Sequence, residues 1–70
     1  MSLPEEEKKQ HTSVLIIDDN AQYAGMLKRI LGNAFGYLDV STVEDISSAY
    51  ELLNQNPQRF QLLFVDYNFP

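Results

Sequence analysis

The chain contains no cysteine, which excludes disulfides and thiolate metal ligands. It also removes the covalent staples on which small secreted folds rely. Basic residues are few, five against ten acidic ones, for a formal net charge of -5. Beyond the leader they are Lys28, Arg29 and Arg59, so no basic face is expected for a nucleic-acid backbone. No apolar run approaches the ~20 residues that cross a bilayer, and Met1 to His11 lacks the apolar stretch of a signal peptide. These absences lead us to expect a cytoplasmic chain, its acidic balance serving solubility. The lone histidine, His11, falls in the polar leader, where a solvated side chain is expected rather than a ligand or a phosphodonor.

What is present has the composition of a globular protein. Of the 70 residues, 44% are hydrophobic, too many for a disordered chain. The length is below that of an ordinary domain and marginal for burying a core unaided. Residues 1–11 hold Pro4, three glutamates and two lysines without apolar periodicity, so they are expected to be a disordered leader. From Thr12 the character changes. Val14-Leu15-Ile16-Ile17 is apolar at every position and is predicted to be a strand covered on both faces. Asn20 or Asp19 can cap a helix over Ala21 to Asn33, in which Tyr23, Met26, Leu27, Ile30, Leu31 and Ala34 recur at helical spacing. Gly32 and Gly36 supply its stop, with Asn33 able to turn left-handed.

Tyr37-Leu38-Asp39-Val40-Ser41 is predicted to be a shorter edge strand. Ser41 or Thr42 then offers an N-cap, with Glu44 or Asp45 three residues later as in a capping box. Ile46, Ala49, Tyr50 and Leu53 form the apolar stripe of a second helix, expected to pack on the core and to end before Asn56-Pro57. Phe60 to Val65 completes a βαβαβ order. Such units imply a parallel sheet with right-handed crossovers. With the helices on opposite faces the strand order is 2-1-3, and a topological switch point lies beyond the carboxyl ends of strands 1 and 3.

Aspartates occupy that point. The first apolar run is followed by Asp18-Asp19-Asn20, and Leu62-Leu63-Phe64-Val65 by Asp66-Tyr67-Asn68-Phe69-Pro70. A single aspartate after a strand is ordinarily a cap or a turn former. Three at adjacent strand ends repel one another unless protons or a cation compensate. Hard oxygen ligands without cysteine or histidine suit magnesium, and magnesium at a switch point suits phosphoryl chemistry. Asp18 and Asp19 are the expected metal ligands. Asp66, alone at the end of a buried strand, is the expected nucleophile, and the backbone carbonyl of Asn68 is a further candidate ligand.

These two motifs and their spacing resemble the receiver domain of two-component response regulators, over residues 12–70. The resemblance implies a flavodoxin-like doubly wound sheet, present as its amino-terminal half and truncated after strand 3. It implies Mg2+ held by Asp18, Asp19, Asp66 and the Asn68 carbonyl, with Asp66 as phosphoacceptor and a histidine kinase or phosphotransfer protein as donor. Phe69 stands where the family has a methionine-like residue before proline, and Ile46 at a position usually small. The family's serine or threonine after strand 4 and lysine after strand 5 have no counterpart in the sequence given. The chain is therefore expected to self-associate or to belong to a longer parent chain, and to be a signalling module rather than an enzyme. Two other classes remain: a degenerate receiver used as a protein-interaction module without phosphotransfer, and a small metal-dependent phosphohydrolase. The second lacks a general base near the carboxylates.

Overall fold

A computed structural model of the chain describes residues 4–66. The elements run α1 (Glu5–Gln10), β1 (Ser13–Ile17), α2 (Ala21–Asn33), β2 (Asp39–Val43), α3 (Ile46–Gln55) and β3 (Leu62–Val65). The three strands form one all-parallel sheet in the order β2-β1-β3, as the alternation of strands and helices predicts.

β1 is central because its side chains can be buried on both sides. Val14 and Ile16 face α2, packing with Ala24, Leu31 and Val40. Leu15 and Ile17 face α3, packing with Ala49 and the half-buried Val43, Leu52, Leu53 and Phe60. Period-2 alternation along one aliphatic strand thus feeds two separate apolar layers. In register, Ser13 to Ile17 pair with Asp39 to Val43 on one edge, and Val14 to Ile17 with Leu62 to Val65 on the other.

The second strand begins two residues later than expected. Gly36 takes φ +81°, a left-handed conformation suited to glycine, and the Tyr37 N–H then donates to the Leu31 carbonyl at 3.0 Å. Tyr37 and Leu38 are therefore occupied in leaving α2. Asn33 stays helical, and no described non-glycine residue has positive φ. The capping-box expectation is also corrected. Ser41 and Thr42 lie within β2, and the cap of α3 is Asp45, whose carboxylate accepts the Ser48 N–H at 2.7 Å and the Ser48 hydroxyl at 2.9 Å.

The leader needs a correction as well, since Glu5–Gln10 is helical. Lys8 and Lys9 lie in the last turn of this helix, complementing the negative end of its dipole. A helix so short has little stability alone; Lys9 Nζ lies 6.0 Å from the centre of the Tyr37 ring, which ties it to the body of the protein. No described helix is long and apolar enough to cross a membrane.

Two consequences are measurable. Leu15 is completely buried at the centre of the sheet, so Leu15→Ala should cost about 2–5 kcal/mol in urea unfolding; a loss under about 1 kcal/mol would contradict this core. The Ser48 hydrogen bonds hold the Asp45 carboxyl below its ordinary value of 3.8. A carboxyl depressed by folding stabilises above its unfolded value, and that contribution disappears as pH falls through the folded one. From about pH 6 to about pH 3 the wild type should therefore lose more stability than Asp45→Asn, whose cap does not titrate; parallel curves would refute the assignment.

Candidate metal centre

The carboxyl ends of the strands are fastened together by the backbone. The Asp18 N–H donates to the Val43 carbonyl at 3.0 Å, and the Asp66 N–H donates to the Ile17 carbonyl at 2.9 Å. These bonds extend the ladders one residue past the regular strands, so both aspartates leave the sheet from fixed positions. Carboxylate oxygens of Asp18, Asp19 and Asp66 lie within 4.8 Å of one another. The three expected acidic residues are thus brought together at the switch point. Asn68, the fourth expected ligand, lies outside the described residues.

The three differ in setting. Asp18 is only 5% exposed, and its Oδ1 accepts the Asn20 N–H at 2.9 Å. Asn20 in turn caps α2, its Oδ1 accepting the Tyr23 N–H at 3.0 Å. One short relay therefore fixes both the carboxylate and the helix start, an Asx turn leading directly into an N-cap. Sequence reasoning assigned Asn20 only the cap. The Asp-Asx spacing of Asp18 and Asn20 was the available signal for its second task. Asp66 is half-buried and Asp19 exposed, so Asp19 joins the cluster from the solvent side.

An open cleft of about 550 Å³ adjoins the cluster, lined by Asp18, Asn20 and Asp66 above an apolar floor that includes Tyr23, Leu27 and Phe64. The donor set fits a hard divalent cation: three carboxylates, no sulfur and no imidazole. Asp18, Asp19 and Asp66 would hold it, leaving open positions toward the cleft. His11 is exposed at the end of α1, and no histidine or cysteine belongs to the acidic group among the described residues.

Comparison with family models, curated proteins and solved structures finds no match. The reading of the site accordingly stands on its geometry.

Charge predicts a reversal of sign. Without divalent cations, Asp19→Asn relieves repulsion and should stabilise the fold by a few tenths of a kcal/mol at low salt. With Mg2+ at about ten times its Kd, the wild type should gain about 1.4 kcal/mol, and the variant should gain distinctly less. Thermal melts in chelator and in Mg2+ measure both arms. Equal responses of the two proteins to Mg2+ would remove Asp19 from the site.

Proposed function

We propose that this chain is a receiver module of two-component signalling, the amino-terminal portion of a flavodoxin-like domain, in which Asp66 accepts a phosphoryl group. The observation that carries the reading is the meeting of Asp18, Asp19 and Asp66 within 4.8 Å at the carboxyl end of a parallel 2-1-3 sheet. A phosphoacceptor needs a carboxylate held still beside an open space, and Asp66 has both: its backbone is bonded to Ile17 and its side chain borders the cleft.

The roles divide by burial. Asp66 offers an oxygen to phosphorus; the new O–P bond forms as the donor's P–N bond to histidine breaks, leaving an acyl phosphate on Asp66 and a neutral imidazole on the donor once it takes a proton. Asp18, pinned by the Asn20 N–H, and the exposed Asp19 would hold the cation. Mg2+ bound there supplies neutralisation of charge on the transferring group. Asn20 positions Asp18, while Tyr23 and Phe64 form the apolar floor. The donor is a histidine kinase or phosphotransfer protein, which sets the chain in the cytoplasm as a signalling domain rather than an enzyme.

A second reading is favoured by a different observation. Leu63, Phe64 and Val65 are exposed on both faces of β3, as suits an interaction module that works without phosphotransfer. Acetyl phosphate with Mg2+ separates the two. The first reading expects a hydroxylamine-sensitive phosphoryl group on Asp66 by mass spectrometry, absent from Asp66→Asn and suppressed by chelator. An unmodified Asp66 under conditions where Mg2+ binds would leave the interaction module as the function.

A further inference from the structure

The strand β3 is apolar at every position, Leu62 to Val65. A strand with one polar and one apolar face has its register set by that alternation; a strand apolar throughout does not. Sliding β3 by two residues along β1 keeps each side chain on its own face and exchanges one apolar neighbour for another. It also moves Asp66 by about 6.6 Å, more than the 4.8 Å within which the three carboxylates meet. Holding Asp66 beside Asp18 therefore needs something other than the apolar pattern.

A polar clasp does this at the opposite end of the sheet. Gln61, the residue ahead of β3, closes on both backbone groups of Ser13, the first residue of β1. Its N–H donates to the Ser13 carbonyl at 3.0 Å, and its Oε1 accepts the Ser13 N–H at 2.8 Å. Its Nε2 donates to the Arg59 carbonyl at 3.0 Å, which orients the amide so that Oε1 meets Ser13. The Ser13 hydroxyl donates to Asp39 Oδ2 at 2.5 Å, and Asp39 Oδ1 lies 3.9 Å from Arg59 Nη2. Ser13, Asp39, Arg59 and Gln61 thus form a closed circuit joining β1, β2 and the approach to β3. The exposed Arg59–Asp39 pair adds little to it. The bonds between Gln61 and Ser13 decide which residues oppose one another.

Only the side-chain half of the clasp is specific to one register. Almost any residue can offer an N–H to the Ser13 carbonyl, but few offer an acceptor to its N–H. From the pairing of Val14 with Leu62, an outward slip of two residues sets Arg59 opposite Ser13. A guanidinium has donors only, so the Ser13 N–H loses its side-chain acceptor. An inward slip is opposed differently, since it draws Asp66 down beside the buried Ile16. Repulsion from Asp18 and Asp19 pushes Asp66 outward, the direction that the clasp resists. We infer that Gln61 is a positioning residue: its side chain locks the register of β3 on β1 and so holds Asp66 within the acidic cluster. The register stands on the hydrogen bonds alone, and its consequence for Mg2+ rests on the cation reading of that cluster.

The absence of cysteine lets paired thiols report the register. Ile17, Leu63 and Val65 border one apolar groove, and Ile17 is paired with Val65. Neighbouring strands lie about 4.8 Å apart, within the Cα range of a disulfide. Ile17→Cys with Val65→Cys should therefore cross-link within the chain under mild oxidation. Ile17→Cys with Leu63→Cys, opposed only after the slip, should not. Adding Gln61→Ala should shift cross-linking to the Leu63 position, and adding Gln61→Glu, which keeps the acceptor for Ser13, should restore the native pattern. If circular dichroism shows the paired-thiol chains unfolded, cross-strand NOEs between β1 and β3 read the same register without them. In the chain free of thiols, the Mg2+ Kd of Gln61→Ala should rise about threefold to tenfold as the competent fraction falls, with Gln61→Glu close to wild type. A residue that only stabilised the fold would leave the Kd of the folded chain unchanged. Pairing that stays with Val65 in Gln61→Ala would overturn the proposal, as would a shifted register with unchanged Mg2+ affinity. A wild type that binds no Mg2+ would instead overturn the cation reading, with the register still decided by the cross-links.

Discussion

Everything in this fold depends on the double burial of β1. Val14, Leu15, Ile16 and Ile17 are covered on both faces and hydrogen-bonded along both edges, so one four-residue stretch forms the centre of both apolar layers and of both ladders. Neither helix reaches the other's core. α2 meets the even-numbered side chains of β1 and α3 the odd-numbered ones. Loss of β1 would leave the edge strand β2, which meets α2 through Val40 and the α3 layer through Val43, to join the two layers. β1 also delivers the site: Asp18 follows it directly, and its last carbonyl, that of Ile17, holds the Asp66 N–H.

This dependence explains which parts of the molecule were legible in the sequence. The continuous aliphatic run announced a strand buried on both sides, and the alternation of elements gave the 2-1-3 order. The boundaries Ala21 to Asn33 were readable because Asn20 and the glycines are local signals. β2 was displaced because Tyr37 and Leu38 have strand-like chemistry, yet their placement is decided by the Gly36 reversal and by pairing of Asp39 with Ser13. The cap of α3 was misassigned for a related reason. Ser41 and Thr42 can cap a helix in isolation, but the ladder with β1 claims them first. The short helix α1 has no apolar period to announce it, only an ordering of charge.

The site was legible in its residues and less so in its supports. Asp18, Asp19 and Asp66 could be named from their positions after apolar runs, because strand ends in a parallel sheet are neighbours by construction. The relay from Asp18 through Asn20 to the start of α2 depends on loop conformation, which residue types permit without dictating. The apolar floor from Tyr23 and Phe64 was absorbed into the helix and strand stripes, where a side chain beneath a cleft looks no different from one in the core.

The acidic cluster and the open edge are joined through one strand. Asp18 stands at the end of the most buried strand and Asp66 at the end of the least covered one. Carboxylate repulsion therefore acts between a fixed partner and one carried by β3, and the bond from the Asp66 N–H to Ile17 resists it. A cation held between Asp18 and Asp66 would reverse the sign of that force. Covering the apolar faces of β3 has the same mechanical effect, since it adds burial on the side where the strand lacks it. Two events that tighten the same strand are thermodynamically linked, and linkage is reciprocal: neutralising the carboxylates favours the covered edge, and covering the edge favours cation binding. Whatever covers the apolar faces of β3 would therefore be coupled to the charge at its carboxyl end.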